Sequence, residues 1–231
     1  MPSSPECEDG RGLCCVIPAL NAQEMIAMLV LRIRQLFPSA AVVVVDDGSS
    51  DDSAGTAQSA GATVVRHGRN RGKGAALRTG FQVALEHPET DRVATLDADF
   101  QHRPEDLCAL LACMDGTHAD IVIGARRRLG SGMPFSRILS NTITSALVGA
   151  RTGLEIRDSQ CGFRLIRRAV LERIETTWDG YEAETEFLLK AARAGFRIEF
   201  VPVKTIYTDQ PSHMTHCTTT VNFIRVLFRE Y

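Results

Sequence analysis

Residues 91–106 read DRVATLDADFQHRPED, a short apolar run that leads directly into a polar loop. Side chains alternate along an extended segment, so Asp97 and Asp99 point to one side and Ala98 to the other, with Gln101 within reach. Hard oxygen ligands at this spacing suit Mg²⁺ or Mn²⁺ bridging a diphosphate. An Asp-x-Asp pair also occurs in solvated turns, so the rest of the chain has to decide between a metal site and a turn.

The composition favours one large α/β domain. With 231 residues and 44% hydrophobic content, the chain is long enough to bury a sizeable core. The net charge of −2 gives no general attraction to nucleic acid, so no nucleic-acid partner is expected. Residues 121–180, however, contain ten Arg, no Lys and five acidic residues, which gives a local charge of +5. This patch favours phosphorylated ligands or an anionic membrane, and a solvated basic face is the alternative.

The cysteines and the N-terminus bear on the cellular compartment. Seven cysteines without Cys-x-x-Cys spacing predict neither a zinc site nor a disulfide framework, and they favour a reducing cytoplasm. No stretch approaches the roughly 20 apolar residues that cross a bilayer, and the N-terminus lacks an export signal. We expect residues 1–12 to form a disordered N-terminal lead and residues 13–231 to form the domain.

The hydrophobic pattern alternates between strands and helices. Continuous apolar runs predict buried strands, and apolar residues at helical spacing predict helices between them. The predicted strands are 13–17, 41–45, 62–66, 92–96, 121–123 and a short one at 198–201. The predicted helices are 25–37, 74–86, 104–114, 138–150, 168–174, 182–194 and an amphipathic tail at 221–228. This order predicts a Rossmann-like, mostly parallel sheet with helices on both faces.

Polar loops follow each of the first four strands, at the edge where parallel sheets bind ligands. Asn21, with Glu24 three residues on, is either a helix N-cap or part of that edge. Asp46 and Asp47 form either a turn or acceptors for the N–H of a base. The glycine-rich loop 68–74 matches neither a P-loop nor a dinucleotide fingerprint, but its backbone N–H groups suit a nearby phosphate.

Seven short motifs occur in a fixed order. They are VIPALN (16–21), VVDDGS (44–49), NRGKGA (70–75), LDADFQH (96–102), GAR (124–126), DSQCGFR (158–164) and ETE (184–186). Together they resemble the family-two glycosyltransferases with the GT-A fold of nucleotide-diphospho-sugar transferases, most closely the branch of dolichol-phosphate mannosyltransferases and polyprenyl-phosphate glycosyltransferases. The resemblance covers about residues 13–228. It implies a single GT-A domain with a nucleotide-sugar half (13–124) and an acceptor half (125–231) that includes the C-terminal amphipathic helix.

The resemblance also implies roles for individual residues. The catalytic residues would be Asp97, Asp99, Arg126 and Asp158. The ligands of Mg²⁺ or Mn²⁺ would be Asp97, Asp99 and Gln101. The donor, a GDP- or UDP-hexose, would be bound by Pro18, Leu20, Asn21, Val45, Asp47, Lys73, Asp97, Ala98, Asp99, Arg126 and His213. The acceptor would be held by Arg137, Gln160, Arg164 and Glu184.

Two of these assignments have a plainer alternative. Asp158, or one of the acids Glu184 and Glu186, would orient the acceptor or take a proton from a hydroxyl, but pairing with nearby arginines is the alternative. His213 would lie in a segment that closes over the diphosphate, and an ordinary surface histidine is the alternative.

The motifs predict a metal-dependent inverting glycosyltransferase that moves a hexose from a nucleotide diphosphate sugar to a polyprenyl (dolichyl-type) phosphate. We expect a cytoplasmic protein with peripheral contact to the cytoplasmic face of a membrane, its tail helix lying on the bilayer, packing on the core or forming a homodimer. The alternatives are transfer to a soluble small-molecule or protein hydroxyl, and a non-catalytic nucleotide-sugar-binding partner subunit. Ala22 follows Asn21 where the family commonly has Glu, so the identity of the base stays open.

Overall fold

Seven strands form one sheet in the computed structural model, which describes residues 9–126, 135–204 and 216–229, with the backbone alone for 135–137 and 216–221. The strands are β1 (Leu13–Ala19), β2 (Ala41–Asp46), β3 (Thr63–Arg66), β4 (Arg92–Thr95), β5 (Ile121–Arg126), β6 (Arg164–Arg167) and β7 (Ile198–Val203). Their order is β3-β2-β1-β4-β6-β5-β7. β6 runs antiparallel to β4 and β5, and the other pairs are parallel. The predicted mostly parallel α/β sheet is confirmed.

Eight helices lie in the described part of the chain. They are α1 (Gln23–Leu36), α2 (Ser53–Ser59), α3 (Lys73–Glu86), α4 (Leu107–Thr117), α5 (Phe135–Thr152), α6 (Arg168–Arg173), α7 (Glu182–Arg193) and α8 (His216–Phe228), and a 3₁₀ turn at Pro104–Asp106 precedes α4. One apolar face of α1 follows the helical spacing and is completely buried, as Ile26, Leu29 and Ile33 show. α1 ends just before Pro38, which disfavours helical geometry at the residue before it.

The central strands are apolar on both faces because helices cover both sides of the sheet. All residues of β1 from Leu13 to Ile17 are at most 2% exposed, which accounts for the continuous apolar run in the sequence. Gly80 of α3 lies directly on Val16 of β1, where a Cβ would clash with the valine side chain. This close packing places the first residue of α3 at the carboxyl edge of the sheet.

The structure differs from two predicted boundaries. Within the predicted N-terminal lead, the Asp9 carbonyl oxygen accepts a hydrogen bond from the backbone of Ser39, and Gly10 lies against Phe37 and Ala40. The division between the two halves at residue 124 falls inside β5. β6, from the predicted acceptor half, is inserted between β4 and β5, so both halves share one sheet.

A second, smaller apolar cluster joins α5, α7 and α8 beside the main core. It consists of Val148, Ile156, Leu189, Phe223, Val226 and Leu227. In the described residues no helix is long and apolar enough to cross a membrane. Cys14, Cys15, Cys113 and Cys161 are free thiols. Cys108 is disulfide-bonded, which the cysteine pattern did not predict.

Candidate active site

The Asp-x-Asp pair lies in the loop after β4, between the start of α3 and the start of α7. The Lys73 Nζ is 2.6 Å from Asp97 Oδ1 and 3.0 Å from Glu184 Oε1. Burial alone would raise the pKa of Asp97, but the charge and hydrogen bond of Lys73 hold it below its ordinary value. Three chain segments that are far apart in sequence thus meet around one ammonium group.

Asp99 has a different environment from Asp97. Its Oδ1 accepts a hydrogen bond from the backbone N–H of Gln101 at 3.0 Å, which closes the turn after the strand. Burial and the neighbouring charge of Asp97 raise the pKa of Asp99 above its ordinary value. In the part of the chain that the structure describes, no ion pair involves Asp99, and no three His, Cys, Asp or Glu side chains form a metal-binding group.

Arg126, at the end of β5, and Asp158 form a two-pronged salt bridge. The Nε and Nη2 atoms of Arg126 donate to Asp158 Oδ2 at 2.7 Å and Oδ1 at 3.0 Å. Asn141 and the backbone N–H of Gln160 also donate to Oδ1. Burial alone would raise the pKa of Asp158, but its hydrogen bonds with Arg126 and the charge of that arginine lower it. Asp158 is therefore an anchor for Arg126 and α5 and is poorly suited to take a proton.

His102 belongs to the floor of this site, and the sequence motifs did not assign it a role. Its ring stacks on Phe163 with centroids 5.4 Å apart, and its Nε2 lies 3.6 Å from the Cys161 sulfur. Its Nδ1 is buried and has no hydrogen-bond partner in the described structure. Burial lowers the pKa of His102 to about 4, so the ring is neutral near pH 7. The only signal in the sequence was its place three residues after Asp99.

Asn21 is not the N-cap of α1, and its side chain joins two loops. It has a left-handed backbone conformation (φ 51°), and the residue before α1 is Ala22. The Asn21 side-chain oxygen accepts hydrogen bonds from the backbone and hydroxyl of Ser50, while its N–H donates to Ser49. Asn21 therefore ties the loop after β1 to the loop after β2, which excludes the predicted N-cap.

Fewer residues at the carboxyl ends of β1 and β2 are available to a nucleoside than the sequence predicted. Pro18 and Val45 are register partners at the ends of β1 and β2, but Val45 is completely buried and offers no surface to a ligand. Asp47 is also buried, and its carboxylate accepts from the backbone N–H groups of Arg71 and Gly72 and contacts His67 Nδ1 at 2.6 Å. Its hydrogen-bonding capacity thus serves the loop 67–72 rather than a base.

Pro18, Leu20 and Asp46 are the remaining candidates at the carboxyl ends of β1 and β2. Pro18 and Leu20 are half-buried. Ala98, which was also predicted to contact the donor, is buried in the Asp-x-Asp loop.

Asp46 is buried as well. Its Oδ1 accepts from the backbone of Ser49, and its Oδ2 makes no hydrogen bond in the described residues but lies 3.3 Å from the Arg66 Nε in an ion pair. Asp46 therefore has fewer hydrogen bonds than Asp47 but is paired with a largely exposed arginine.

Four N–H groups of the glycine-rich loop and the first turn of α3 already have acceptors. Those of Arg71 and Gly72 donate to Asp47. The N–H groups of Gly74 and Ala75, in the first turn of α3, both donate to the carbonyl oxygen of Asp179, at 2.6 and 3.2 Å. A Cβ on Gly72 would clash with that same oxygen, and Gly72 has a φ of 100°. The glycines thus allow residues 178–180 to pack on α3, which brings Lys73 to Glu184. The N–H groups of Gly74 and Ala75 are therefore committed to the protein, and a phosphate near this loop stays a prediction.

The predicted acceptor residues separate into different environments. Arg164 is buried in β6, and its guanidinium donates to the carbonyl oxygens of Cys161, Ser159 and Glu184. The guanidinium of Arg164 is therefore committed to three backbone acceptors. Gln160 is half-buried beside Asp158. His213 and the side chain of Arg137 lie outside the described residues.

Glu186, in α7, is a structural residue that holds the segment 177–178. Its buried carboxylate accepts from the backbone of Thr177 at 2.7 Å and of Trp178 at 3.0 Å, and it forms a 2.9 Å ion pair with Lys190. Burial alone would raise the pKa of Glu186, but the hydrogen bond from Lys190 and those from the backbone lower it. Glu186 therefore has no part in the group around Asp97.

Comparisons with known proteins identify the family of the chain. The family model described as "Glycosyl transferase family 2" matches residues 14–175. The undecaprenyl-phosphate mannosyltransferase of Micrococcus luteus is 33% identical over 201 residues, 81% of this chain and 81% of that protein. A UDP-N-acetylglucosamine–dolichyl-phosphate N-acetylglucosaminyltransferase of Methanococcus voltae is 27% identical over 216 residues, 84% of this chain and 85% of that protein.

The fold is also found in solved structures. Glucosyl-3-phosphoglycerate synthase from Mycobacterium tuberculosis, in complex with Mn²⁺, UDP and glucosyl-3-phosphoglycerate, superposes with a TM-score of 0.73 at 22% identity, over 94% of this chain and 78% of that one. At this identity the likeness concerns the fold alone. The family model covers most of the described sheet, from β1 through β6, and includes the Asp-x-Asp loop and Arg126. The chain therefore belongs to glycosyl transferase family 2 and has the GT-A fold.

Proposed function

We propose that the chain is a metal-dependent inverting glycosyltransferase that moves a hexose from a nucleotide diphosphate sugar to a polyprenyl phosphate. The observation that carries this proposal is the placement of Asp97 and Asp99 at the carboxyl edge of the sheet, beside the cationic groups of Lys73 and Arg126. Carboxylates and cations at one edge suit a metal-bridged diphosphate. The relatives named for polyprenyl-phosphate or dolichyl-phosphate substrates support the choice of acceptor.

The donor set fits Mg²⁺ or Mn²⁺. Such ions are commonly held by one or two carboxylates together with substrate phosphates and water. Asp99 supplies a half-buried carboxylate whose charge is disfavoured by burial and by Asp97, so a cation there would be stabilised. Asp97 and Gln101 are the other oxygen donors within the loop. When bound, the ion would supply positive charge to the leaving diphosphate.

The nucleoside would lie against Pro18 and Leu20. Asp46 is the less committed acceptor for a base N–H, because its Oδ2 makes no hydrogen bond in the described residues and is paired with the largely exposed side chain of Arg66, whereas Asp47 is committed to the loop 67–72. This assignment replaces the predicted contacts of Val45, Asn21 and Asp47. It leaves GDP and UDP as alternative donors, since both bases have an N–H that an acid can accept.

The pairing of the carboxylates around the site favours an acceptor substrate that is already negatively charged. In the described residues Asp97 and Glu184 are paired with Lys73, and Asp158 is paired with Arg126. None of these carboxylates is placed as a strong general base, which transfer to a hydroxyl would require. A phosphate oxygen needs no deprotonation. It would attack the anomeric carbon in line as the bond from that carbon to the diphosphate breaks, and the nucleoside diphosphate would leave with the electron pair.

Two helices near the site present apolar side chains to solvent. On α5, Leu139, Ile143 and Leu147 are 51%, 50% and 42% exposed and lie on one face at four-residue spacing. On α8, Ile224 is 49% and Phe228 is 74% exposed, and Arg225 lies between them in sequence. The two helices touch where Arg151 donates to the carbonyl oxygen of Leu227. These faces support peripheral contact with a membrane that holds the lipid acceptor.

The function is tested by incubating the purified protein with Mn²⁺, radiolabelled GDP- and UDP-sugars and a polyprenyl phosphate, followed by extraction into organic solvent. We expect label in the organic phase from one donor, and an anomeric configuration in the product that is opposite to that of the donor. Label that stays on a water-soluble acceptor would favour transfer to a hydroxyl. Donor binding without any product would favour a non-catalytic binding subunit.

The contact with a membrane is tested separately by sedimentation with anionic vesicles. An Ile143→Ser, Phe228→Ser double variant is expected to lose vesicle binding because both apolar faces are interrupted. Met28→Ser is the matched control, since Met28 is 48% exposed on α1, away from these two helices. Equal sedimentation of all three proteins would contradict the contact, and a concentration-dependent dimer lost in the double variant would assign the faces to a homodimer.

A further inference from the structure

We propose that Lys73 is a built-in counter-ion of the donor site, which makes binding of a divalent cation depend on the nucleoside diphosphate. The proposal rests on the proposed function, because it concerns the same carboxylates. It adds a coupling between the two ligands: the cation binds weakly to the free protein and tightly once the diphosphate is present. Lys73 is a positioning residue in this scheme, since it acts on Asp97 and not on the reacting atoms.

The position of Lys73 is fixed by the backbone. Lys73 is the first residue of α3, and the two glycines on either side of it allow the segment 178–180 to pack on the helix start. The carbonyl oxygen of Asp179 accepts from the N–H groups of Gly74 and Ala75. The lysine is therefore held against α7, and its ammonium group reaches the Asp-x-Asp loop from a rigid base.

The ammonium group is enclosed by the residues that it pairs. It lies 2.6 Å from Asp97 Oδ1, 3.0 Å from Glu184 Oε1 and 5.7 Å from the centre of the Tyr181 ring. Gly162 closes a further side, because a Cβ there would lie 2.8 Å from the Lys73 Nζ and 2.7 Å from Asp97 Oδ2. The lysine side chain is only 15% exposed, so solvent screens its charge weakly.

The charges explain why the cation and the diphosphate would bind together. Asp97, Asp99 and Glu184 carry three negative charges, and Lys73 neutralises one of them. A dication that approaches Asp97 meets an ammonium group already bound to its Oδ1, and the two positive charges repel each other. A diphosphate adds enough negative charge to offset this repulsion. Thermodynamic linkage then requires that the cation strengthens diphosphate binding by the same factor.

The test measures Mn²⁺ binding from the paramagnetic resonance signal of the free ion, with and without UDP and, in parallel, GDP. For the unaltered protein we expect the preferred nucleotide to tighten Mn²⁺ binding by about tenfold or more. Lys73→Met should bind Mn²⁺ about tenfold more tightly without nucleotide and should lose most of the nucleotide effect, because three carboxylates then lack the competing charge. Lys73→Arg should behave like the unaltered protein.

Lys190→Met is the matched control. Lys190 also forms an ion pair with a buried glutamate, Glu186, at 2.9 Å, but this pair has no contact with the Asp-x-Asp loop. Its Mn²⁺ affinity should match that of the unaltered protein, so a change seen only in Lys73→Met cannot come from the loss of any lysine–glutamate pair. Circular dichroism establishes that each variant is folded, and Lys73→Gln replaces Lys73→Met if the latter does not fold.

The outcomes separate this inference from the proposed function. If the protein binds a nucleotide with Mn²⁺ but Lys73→Met shows no gain in nucleotide-free Mn²⁺ affinity, the counter-ion role is wrong and the proposed function stands. If the unaltered protein binds Mn²⁺ equally well with and without nucleotide, the counter-ion role is also wrong. If neither UDP nor GDP binds under any condition, the proposed function itself fails.

Discussion

Replacement of Asp158 by Asn is expected to destabilise the fold strongly. Asp158 is completely buried, the side chain of Arg126 is only 18% exposed, and the two are joined by hydrogen bonds of 2.7 and 3.0 Å. Asn at this position removes the charged, hydrogen-bonded partner of a largely buried arginine, and breaking such a pair costs about 3–5 kcal/mol. Asn141 and the N–H of Gln160 also lose the charged acceptor that they share.

The assay is chemical unfolding at neutral pH, followed by the fluorescence of Trp178, the single tryptophan. A variant that replaces both partners, Arg126→Met with Asp158→Leu, separates the loss of the pair from the cost of keeping the arginine charge without Asp158. Because the retained arginine charge causes most of the damage, the double variant should be more stable than Asp158→Asn alone. A double variant that is less stable, or an Asp158→Asn protein within about 0.5 kcal/mol of the unaltered one, would refute the reasoning.

The pH dependence gives a further check on the same carboxylate. The folded-state pKa of Asp158 lies below its ordinary value of 3.8, so its contribution is complete above that pH and decreases as the pH falls through the lower folded value. The stability difference between the unaltered protein and Asp158→Asn should therefore be largest at neutral pH and shrink below pH 3.8. A difference that grows on acidification would contradict the assigned direction.

Three other predictions follow from single residues. Asp99→Asn should abolish sugar transfer, and donor with Mn²⁺ should no longer raise the melting temperature. Its unfolding curve without ligands should match that of the unaltered protein. Retained turnover with excess metal would count against Asp99. Gly74→Ala should destabilise the fold by about 1–3 kcal/mol, because the new Cβ would clash with the carbonyl oxygen of Trp178. Gly68→Ala is the control, because it has open space around it and should change the stability by less than about 1 kcal/mol. Equal urea midpoints for the two variants would contradict this prediction. Burial lowers the pKa of His102 from 6.5 to about 4. As the pH falls between those values the unfolded chain takes up the proton, so the free energy of unfolding should decrease by up to about 3 kcal/mol, and His102→Leu should lack this decrease. Parallel pH profiles of the two proteins would show that the ring is not buried as described.

The sequence predicted the sheet well because its strands are strongly apolar. β1, β2 and β5 are buried on both faces, and a continuous apolar run of five or so residues is typical of such strands. β6 was missed because it is only four residues long and has arginine at both ends. α2 was missed because its sequence, SAGTAQS, consists of small and polar residues without an apolar stripe.

The site was predicted in outline but not in detail. The placement of polar loops at the carboxyl ends of the strands follows from the topology, and this brought Asp97, Lys73 and Arg126 to one edge. Which groups are already occupied cannot be read from local sequence. Asp47 accepts from residues 24 and 25 positions away, and Asp158 is held by an arginine 32 positions away. Long-range hydrogen bonds therefore separate ligand-facing residues from structural ones.

The proposed function depends above all on a divalent cation that lies between the Asp-x-Asp loop and a nucleoside diphosphate. Anomalous diffraction from crystals soaked with Mn²⁺ and UDP or GDP tests this most directly. We expect a manganese peak in contact with Asp99 and with oxygens of the diphosphate, and the nucleoside beside Pro18 and Asp46. Bound nucleotide without a manganese peak at the loop, or a peak elsewhere with Asp97 and Asp99 turned away, would contradict the proposal.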